Sequence, residues 1–159
     1  MDFKYIGVDK LGNKHLVIPL MPLYELKLNG SILETSLLLD GKNNNSVHFI
    51  IAKSEITEIH IIDMEVDALN KNRGYGSLLL KALFQVGICL KIDKFFVSGE
   101  LDSRDNIINN VNFYKNFLNI FPEIGEEYTI YFYKNKKEKI KVQDIYTACW
   151  FEYHKKNEE

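Results

Sequence analysis

Gly74 and Gly76 stand one residue apart at the junction between two apolar runs, and the residues beside them are Lys71, Asn72, Arg73, Tyr75 and Ser77. Upstream, ITEIHIIDMEV has the β-branched, partly alternating look of a strand. Downstream, in SLLLKALFQVGICLKI, the residues Ser77, Lys81 and Gln85 form a narrow polar stripe, while Leu79, Leu83, Val86 and Leu90 recur on the other side. That spacing predicts a helix. A strand, a glycine-containing turn and a helix together make a site for an anion. The first helical turn leaves main-chain N–H groups without intrahelical partners, and the helix dipole adds partial positive charge there.

The type of anion is narrowed by what the motif lacks. No GxxxxGK[ST] occurs, which excludes a Walker loop. A dinucleotide fingerprint requires a third small residue, and Leu79 occupies that position. The longer string MEVDALNKNRGYG, residues 64–76, resembles motif A of the GNAT superfamily of acyl-CoA N-acyltransferases, whose signature is (Arg/Gln)-x-x-Gly-x-(Gly/Ala). Here it reads Lys71-Asn72-Arg73-Gly74-Tyr75-Gly76, with lysine at the first position keeping a hydrogen-bond donor, and Val66-Asp67 precedes it. A second segment, residues 106–121 from Asn106 to Phe121, is similar to the family's motif B through Phe113-Tyr114-Lys115-Asn116-Phe117, although Asn119-Ile120-Phe121 stands where that motif has a glycine.

The resemblance implies acetyl-CoA as acyl donor, without a metal, and a primary amine on a small molecule or peptide as acceptor. It implies that the amides of Asn72, Arg73, Gly74, Tyr75, Gly76 and Ser77 hold the pyrophosphate, that Lys71 and Arg73 add charge, and that Asn106 belongs to the cofactor site. In that family the motif A strand splays from a parallel neighbour and its unpaired amides bind the pantetheine arm. Carried over, those positions are Met64 and Val66, with residues 94–98 as the neighbour; both side chains also read as plain core packing.

Acyl transfer from a thioester to an amine requires a proton for the leaving thiolate and a base for the ammonium. Tyr114 matches the motif B tyrosine that serves as general acid in similar enzymes; a thiol pKa of about 8.5 and a phenol pKa of about 10 make the transfer feasible. Its spacing from Ile107, Val111 and Leu118 also fits an amphipathic core face. For the base, strict alternation puts Glu58, His60, Ile62, Met64 and Val66 on one face of the strand and Asp63 and Glu65 on the other. Glu58 and His60 are then the candidates. A bulge would bring Glu65 forward instead, and a water chain is a third route.

Placing these groups calls for an α/β (α+β type) arrangement: a GNAT-like mixed, mostly antiparallel sheet with one parallel βαβ unit flanked by helices. The expected order is a hairpin around Lys10-Leu11-Gly12-Asn13, an ambiguous piece at 23–28, and strands at 32–39 and 47–52 joined by a polar loop at 40–46. Then come the strand–turn–helix, a strand at 94–98, a loop with Asp102 or Ser103 as N-cap, and a helix from about 104 to 118 ended by Pro122. Two closing strands at 128–133 and 145–153 flank the lysine-rich KNKKEKIK at 134–141, read as a solvated connection.

Bulk properties fit one domain over 1–159, since 159 residues bury a full core and 46% hydrophobic with 26% charged residues is ordinary globular composition. A net charge of -2 argues against a mainly electrostatic nucleic-acid or membrane partner. Cys89 and Cys149 read as buried thiols rather than a bridge, and MDFKYIGVDK is too charged for a signal peptide, so a cytoplasmic protein is expected. His15, His48 and His154 lack metal-ligand spacing. The aromatic run 146–153 offers area for a homodimer. From another functional class, a non-catalytic CoA-binding or protein-interaction module with a degenerate GNAT fold would show the same glycine turn without turnover.

Overall fold

The structure is a computed structural model, and it describes residues 3–21, 23, 31–70, 72–98, 104–134, 138–139 and 150–156, without the side chains of 31, 70, 98, 104–111, 134 and 138. The chain is of the α+β class and divides into two compact units, Met1–Ile92 and Asp93–Glu159. Every strand pairing described within either unit is antiparallel.

In the first unit, β1 (Tyr5–Val8), β2 (Lys14–Pro19), β3 (Ser31–Leu39), β4 (Lys42–Lys53) and β5 (Thr57–Glu65) pair in sequence order, and α1 (Tyr75–Leu90) packs on β1, β3, β4 and β5. Alternation along the strands decides which side meets the helix. Val17, Leu37, Leu39, Val47, Phe49, Ile51, Ile59 and Ile61 are buried on that side. They meet Leu78, Leu79, Ala82, Leu83 and Val86 of α1. The helix is buried on more than the single face its polar stripe suggested: Leu80 and Phe84 are also at 0% exposure. Cys89 corrects the expectation of a buried thiol. It is exposed, because it continues the outer stripe of Lys81 and Gln85 one turn further along. Cys149 lies outside the described residues.

The loop expected at 40–46 is shorter than that. Asp40 (φ 53) and Gly41 (φ 72) alone make the turn, both left-handed as a type I′ hairpin requires, and β4 begins at Lys42. Asparagines 43–45 fall within β4 as a bulge, since Leu39 pairs with Lys42 and Leu38 with Ser46, and Asn45 is buried there. The ambiguous piece at 23–28 is described only at Leu23, which is buried.

The second unit sets β6 (Lys94–Ser98), β9 (Trp150–Lys155), β7 (Tyr128–Lys134) and the short β8 (Glu138–Lys139) side by side in that order. The helices α2 (Arg104–Ile120) and α3 (Pro122–Glu127) complete it. Pro122 does end the longer helix, but it also opens a second one, occupying the first-turn position where its missing N–H costs nothing. The core is aromatic. Phe95 meets Tyr128 edge-on at 5.3 Å, Phe132 meets Phe151 at 5.4 Å, and Phe117 of α2 meets Tyr153 at 6.4 Å. The fully buried Tyr153 donates its hydroxyl hydrogen to the Tyr114 carbonyl at 2.8 Å. Burial, with a smaller contribution from Tyr114, pushes the Tyr153 phenol well above its usual range. In the lysine-rich run, Glu138–Lys139 pairs with β7, so part of that connection is structured. The loop at 99–103 with its expected N-cap, and residues 140–149, lie outside the described residues.

On the opposite side of this second sheet a carboxylate is buried on purpose. Glu152 is 2% exposed and accepts hydrogen bonds from Trp150 Nε1 (3.0 Å), His154 Nε2 (3.0 Å) and Lys94 Nζ. Burial alone would raise its pKa, but the bonds from Lys94, Trp150 and His154 outweigh it and hold the carboxyl below the usual value. A carboxyl lowered by folding stabilises above its unfolded-state pKa, and that contribution is lost as pH falls through the lower folded value. Glu152→Gln should thus cost about 2 kcal/mol near neutrality and much less in acid. Urea midpoints of both proteins at two pH values check this; a pH-independent difference contradicts it.

Candidate anion site at the turn into α1

The strand β5 reaches the glycine turn through a short 3-10 turn, Ala68–Asn70. Asparagines from the start of β4 hold this connection: Asp67 donates its N–H to Asn45 Oδ1 at 2.9 Å, and Asn44 Nδ2 donates to Asp67 Oδ2 at 3.2 Å. Asp67 Oδ1 in turn accepts the Leu69 N–H at 3.1 Å. Asn72 (φ 66) and Gly74 (φ 85) then take left-handed conformations that reverse the chain. Gly74 is the N-cap of α1, without a capping side-chain hydrogen bond, and its carbonyl accepts the first helical bond from the Leu78 N–H at 3.0 Å.

The helix begins at Tyr75, two residues before the expected start. Gly76 and Ser77 therefore belong to the first turn, where main-chain N–H groups lack helical acceptors. Tyr75 is 7% exposed and its ring sits edge-on to His15 at 4.8 Å, so the phenol is a packing group and any ligand contact falls to its main chain. Arg73 and Asn72 are exposed. Lys71, the first position of the signature, lies outside the described residues; Asn106 lies on α2 with its side chain not described.

Lys10, from the β1–β2 turn, is the neighbour that sequence reading missed. Its N–H donates to the Arg73 carbonyl at 2.9 Å, and its aliphatic stem lies against Gly74, where a Cβ would come within 3.3 Å of Lys10 Cγ. A lysine more than sixty positions upstream thus stands beside the turn. Nothing local in the sequence ties it there; only the return of β1 alongside α1 does.

The strand β5 carries the bulge, and this revises the faces. Phe49 opposes Ile61 while His48 opposes Asp63, so Ile62 is the extra residue. Before it, Glu58 and His60 point away from the helix-covered side that Ile59 and Ile61 occupy. Beyond it the parity reverses: Met64, opposite buried Val47, joins the covered side, and Glu65, opposite Ser46, joins Glu58 and His60. Strict alternation had put Met64 with Glu58 and His60; the added residue is why it does not stand there. Val66 follows the end of the strand and is half-buried. Glu65 is exposed, and Glu58 and His60 form a pair, Nε2 to Oε2 at 3.1 Å. On the same face His48 bridges Ser36 Oγ (2.9 Å) and Glu34 Oε1 (2.8 Å), a histidine the spacing had left aside.

Tyr114 lies on α2 in the second unit, half-buried, its ring 5.0 Å from Phe113 and 5.2 Å from Phe151. Among the described residues no group of His, Cys, Asp and Glu could hold a metal ion, and no described helix is long and apolar enough to cross a membrane.

No family model matches the chain, and no curated protein does. The geometry of the turn and of the two faces of β5 is therefore what any functional reading must be built on.

Proposed function

We propose that the chain is a GNAT-like acyltransferase that passes an acetyl group from acetyl-CoA to a primary amine by direct attack. The observation that carries this reading is the turn itself: Gly74, left-handed and side-chain-free, opens a helix whose first-turn residues Tyr75, Gly76 and Ser77 follow the sequence signature. The diphosphate of coenzyme A carries two negative charges, and a helix N-terminus beside Arg73 and Lys10 suits it. The order of elements along the chain, with strand, turn and helix followed by β6, α2 and closing strands, agrees with the resemblance.

In this reading the first turn of α1 and its cations bind the donor, and main-chain groups of Met64 and Val66 orient the pantetheine arm. The face of β5 with Glu58, His60 and Glu65 takes the ammonium proton; returning a proton to the sulfur is the role that the resemblance alone implies for Tyr114 of the second unit. The nitrogen lone pair attacks the thioester carbon, the C–S bond breaks, the thiolate leaves with the phenol proton, and the second proton shed by the nitrogen as it becomes an amide restores the phenol. His60 is the base this arrangement favours, because its contact with the Glu58 carboxylate at 3.1 Å fixes the orientation of the ring. Replacing His60 with Gln should alter the acid limb of the kcat/KM profile, and an unchanged profile removes it from the mechanism.

The reading is tested by a thermal-shift screen against CoA esters, followed by an amine panel monitored for thiol release. Stabilisation by acetyl-CoA with amine-dependent thiol release supports it. Stabilisation without release across the panel favours the non-catalytic CoA-binding module, and no stabilisation overturns both.

A further inference from the structure

His15 of β2 is 9% exposed, and each of its ring nitrogens lies 2.7 Å from a carboxylate oxygen, Nε2 from Asp9 Oδ2 and Nδ1 from Asp40 Oδ2. An ionised carboxylate only accepts hydrogen bonds. Both contacts are hydrogen bonds only when both nitrogens carry hydrogen, that is, in the imidazolium; a neutral ring would turn a lone pair towards one carboxylate. The remaining carboxylate oxygens shape the backbone. Asp9 Oδ1 accepts the Leu11 N–H at 2.8 Å and the Asn13 N–H at 3.0 Å, and Asp40 Oδ1 accepts the Leu16 N–H at 3.0 Å.

The groups facing the ring come from each element packed on it. They are Asp9 from the β1–β2 turn, Asp40 from the β3–β4 turn with Lys42 acting on it, and the edge-on ring of Tyr75 from α1. The β1–β2 turn held this way is the one that bonds to Arg73 and lays Lys10 on Gly74. We propose that the His15 imidazolium is a pH-operated latch that pins the β1–β2 turn to the β3–β4 turn and, through Lys10, against the glycine turn at the head of α1. The latch is a property of the fold and does not depend on what the glycine turn binds.

The electrostatics agree with the geometry. Burial disfavours the charged ring, yet the hydrogen bonds and charges of Asp40 and Asp9 outweigh it and hold His15 above its ordinary value of 6.5. For Asp9 the bond to His15 is the largest influence, and against burial it and the Asn13 and Leu11 amides bring the carboxyl down to about 2. For Asp40, burial is outweighed by the His15 and Leu16 bonds, and its pKa is lowered. A histidine raised by folding contributes fully below its unfolded pKa, and the contribution is lost as pH rises through the folded value; the aspartates' share is lost only in strong acid. The latch is therefore closed below the ordinary histidine value and opens as pH rises through the raised one.

The test uses the full chain. The ring of His15 is titrated by NMR while amide hydrogen exchange, corrected for intrinsic rates, is followed from about pH 6 to about pH 9. The expected result is a His15 midpoint above 6.5, with protection of the Lys10, Leu11 and Asn13 amides falling about tenfold across it while the Phe49 and Ile59 amides of the core stay protected. Asp40→Asn should lower the midpoint and carry the loss of protection to lower pH with it, a coupling that a merely structural residue would not produce. A wild-type His15 that titrates at or below 6.5, or turn protection that ignores pH, overturns the latch without the variant being needed. Protection that weakens in Asp40→Asn without a shift of its midpoint overturns it as well.

Discussion

Gly76→Trp abolishes acetyl-CoA binding, with no heat of association in calorimetry and an affinity loss of at least about a hundredfold. Gly76 is the second residue of α1, and a bulky side chain there stands on the turn whose N–H groups would meet the diphosphate. A side chain at Gly76 meets no backbone strain, because a helical backbone accepts any L-residue and glycine inside a helix is if anything unfavourable. Gly74 would be a poorer choice. At φ 85 a side chain costs about 1–2 kcal/mol of backbone strain and would press on Lys10, so stability and binding would fall together. Retained affinity in a folded Gly76→Trp protein would remove the site.

Tyr114→Phe lowers turnover at least about tenfold and leaves acetyl-CoA affinity unchanged. The ring is held by Phe113 and Phe151, and phenylalanine keeps both contacts, so the substitution deletes the hydroxyl alone. The Tyr114 carbonyl that receives the Tyr153 hydroxyl is main chain and survives the change. A packing residue would show a loss of stability or nothing; a proton donor to the leaving thiolate shows a loss in kcat. Turnover equal to the wild type would take Tyr114 out of the reaction.

Local pattern carried much of this architecture. The strand ending near Glu65, the helix after the glycines and the aromatic strand at Tyr128 were legible because alternation and helical spacing report directly on one buried face. The Asp40-Gly41 turn shows where the polar run misled. Asparagines signal loops on average, but a two-residue type I′ turn needs only Asp-Gly, and the asparagines that follow are recruited to the strand and to Asp67. The bulge at Ile62 left no mark in the sequence beyond the one the strand had anyway. It is fixed by the register of β4, a partner whose offset cannot be read from β5 alone.

The same reason hid the company of the glycine turn. Lys10, Asp9, His15 and Asp40 come from three separate turns or strands, and no spacing rule links them; the sheet order β1-β2-β3 brings them together. His15 lacks metal-ligand spacing, and spacing in sequence says nothing about a bridge between two carboxylates. Glycines can mark a turn from sequence, whereas the side chains that lean on it are supplied by topology.

The most direct measurement of the central claim is a 15N NMR titration of the full chain with acetyl-CoA, read at the amides of Gly74, Tyr75, Gly76 and Ser77. Saturable downfield shifts at those amides, lost when acetyl-pantetheine without the diphosphate replaces the ligand, are the result this account predicts. Amides at the head of α1 that stay in place while acetyl-CoA binds elsewhere, or does not bind, would contradict it.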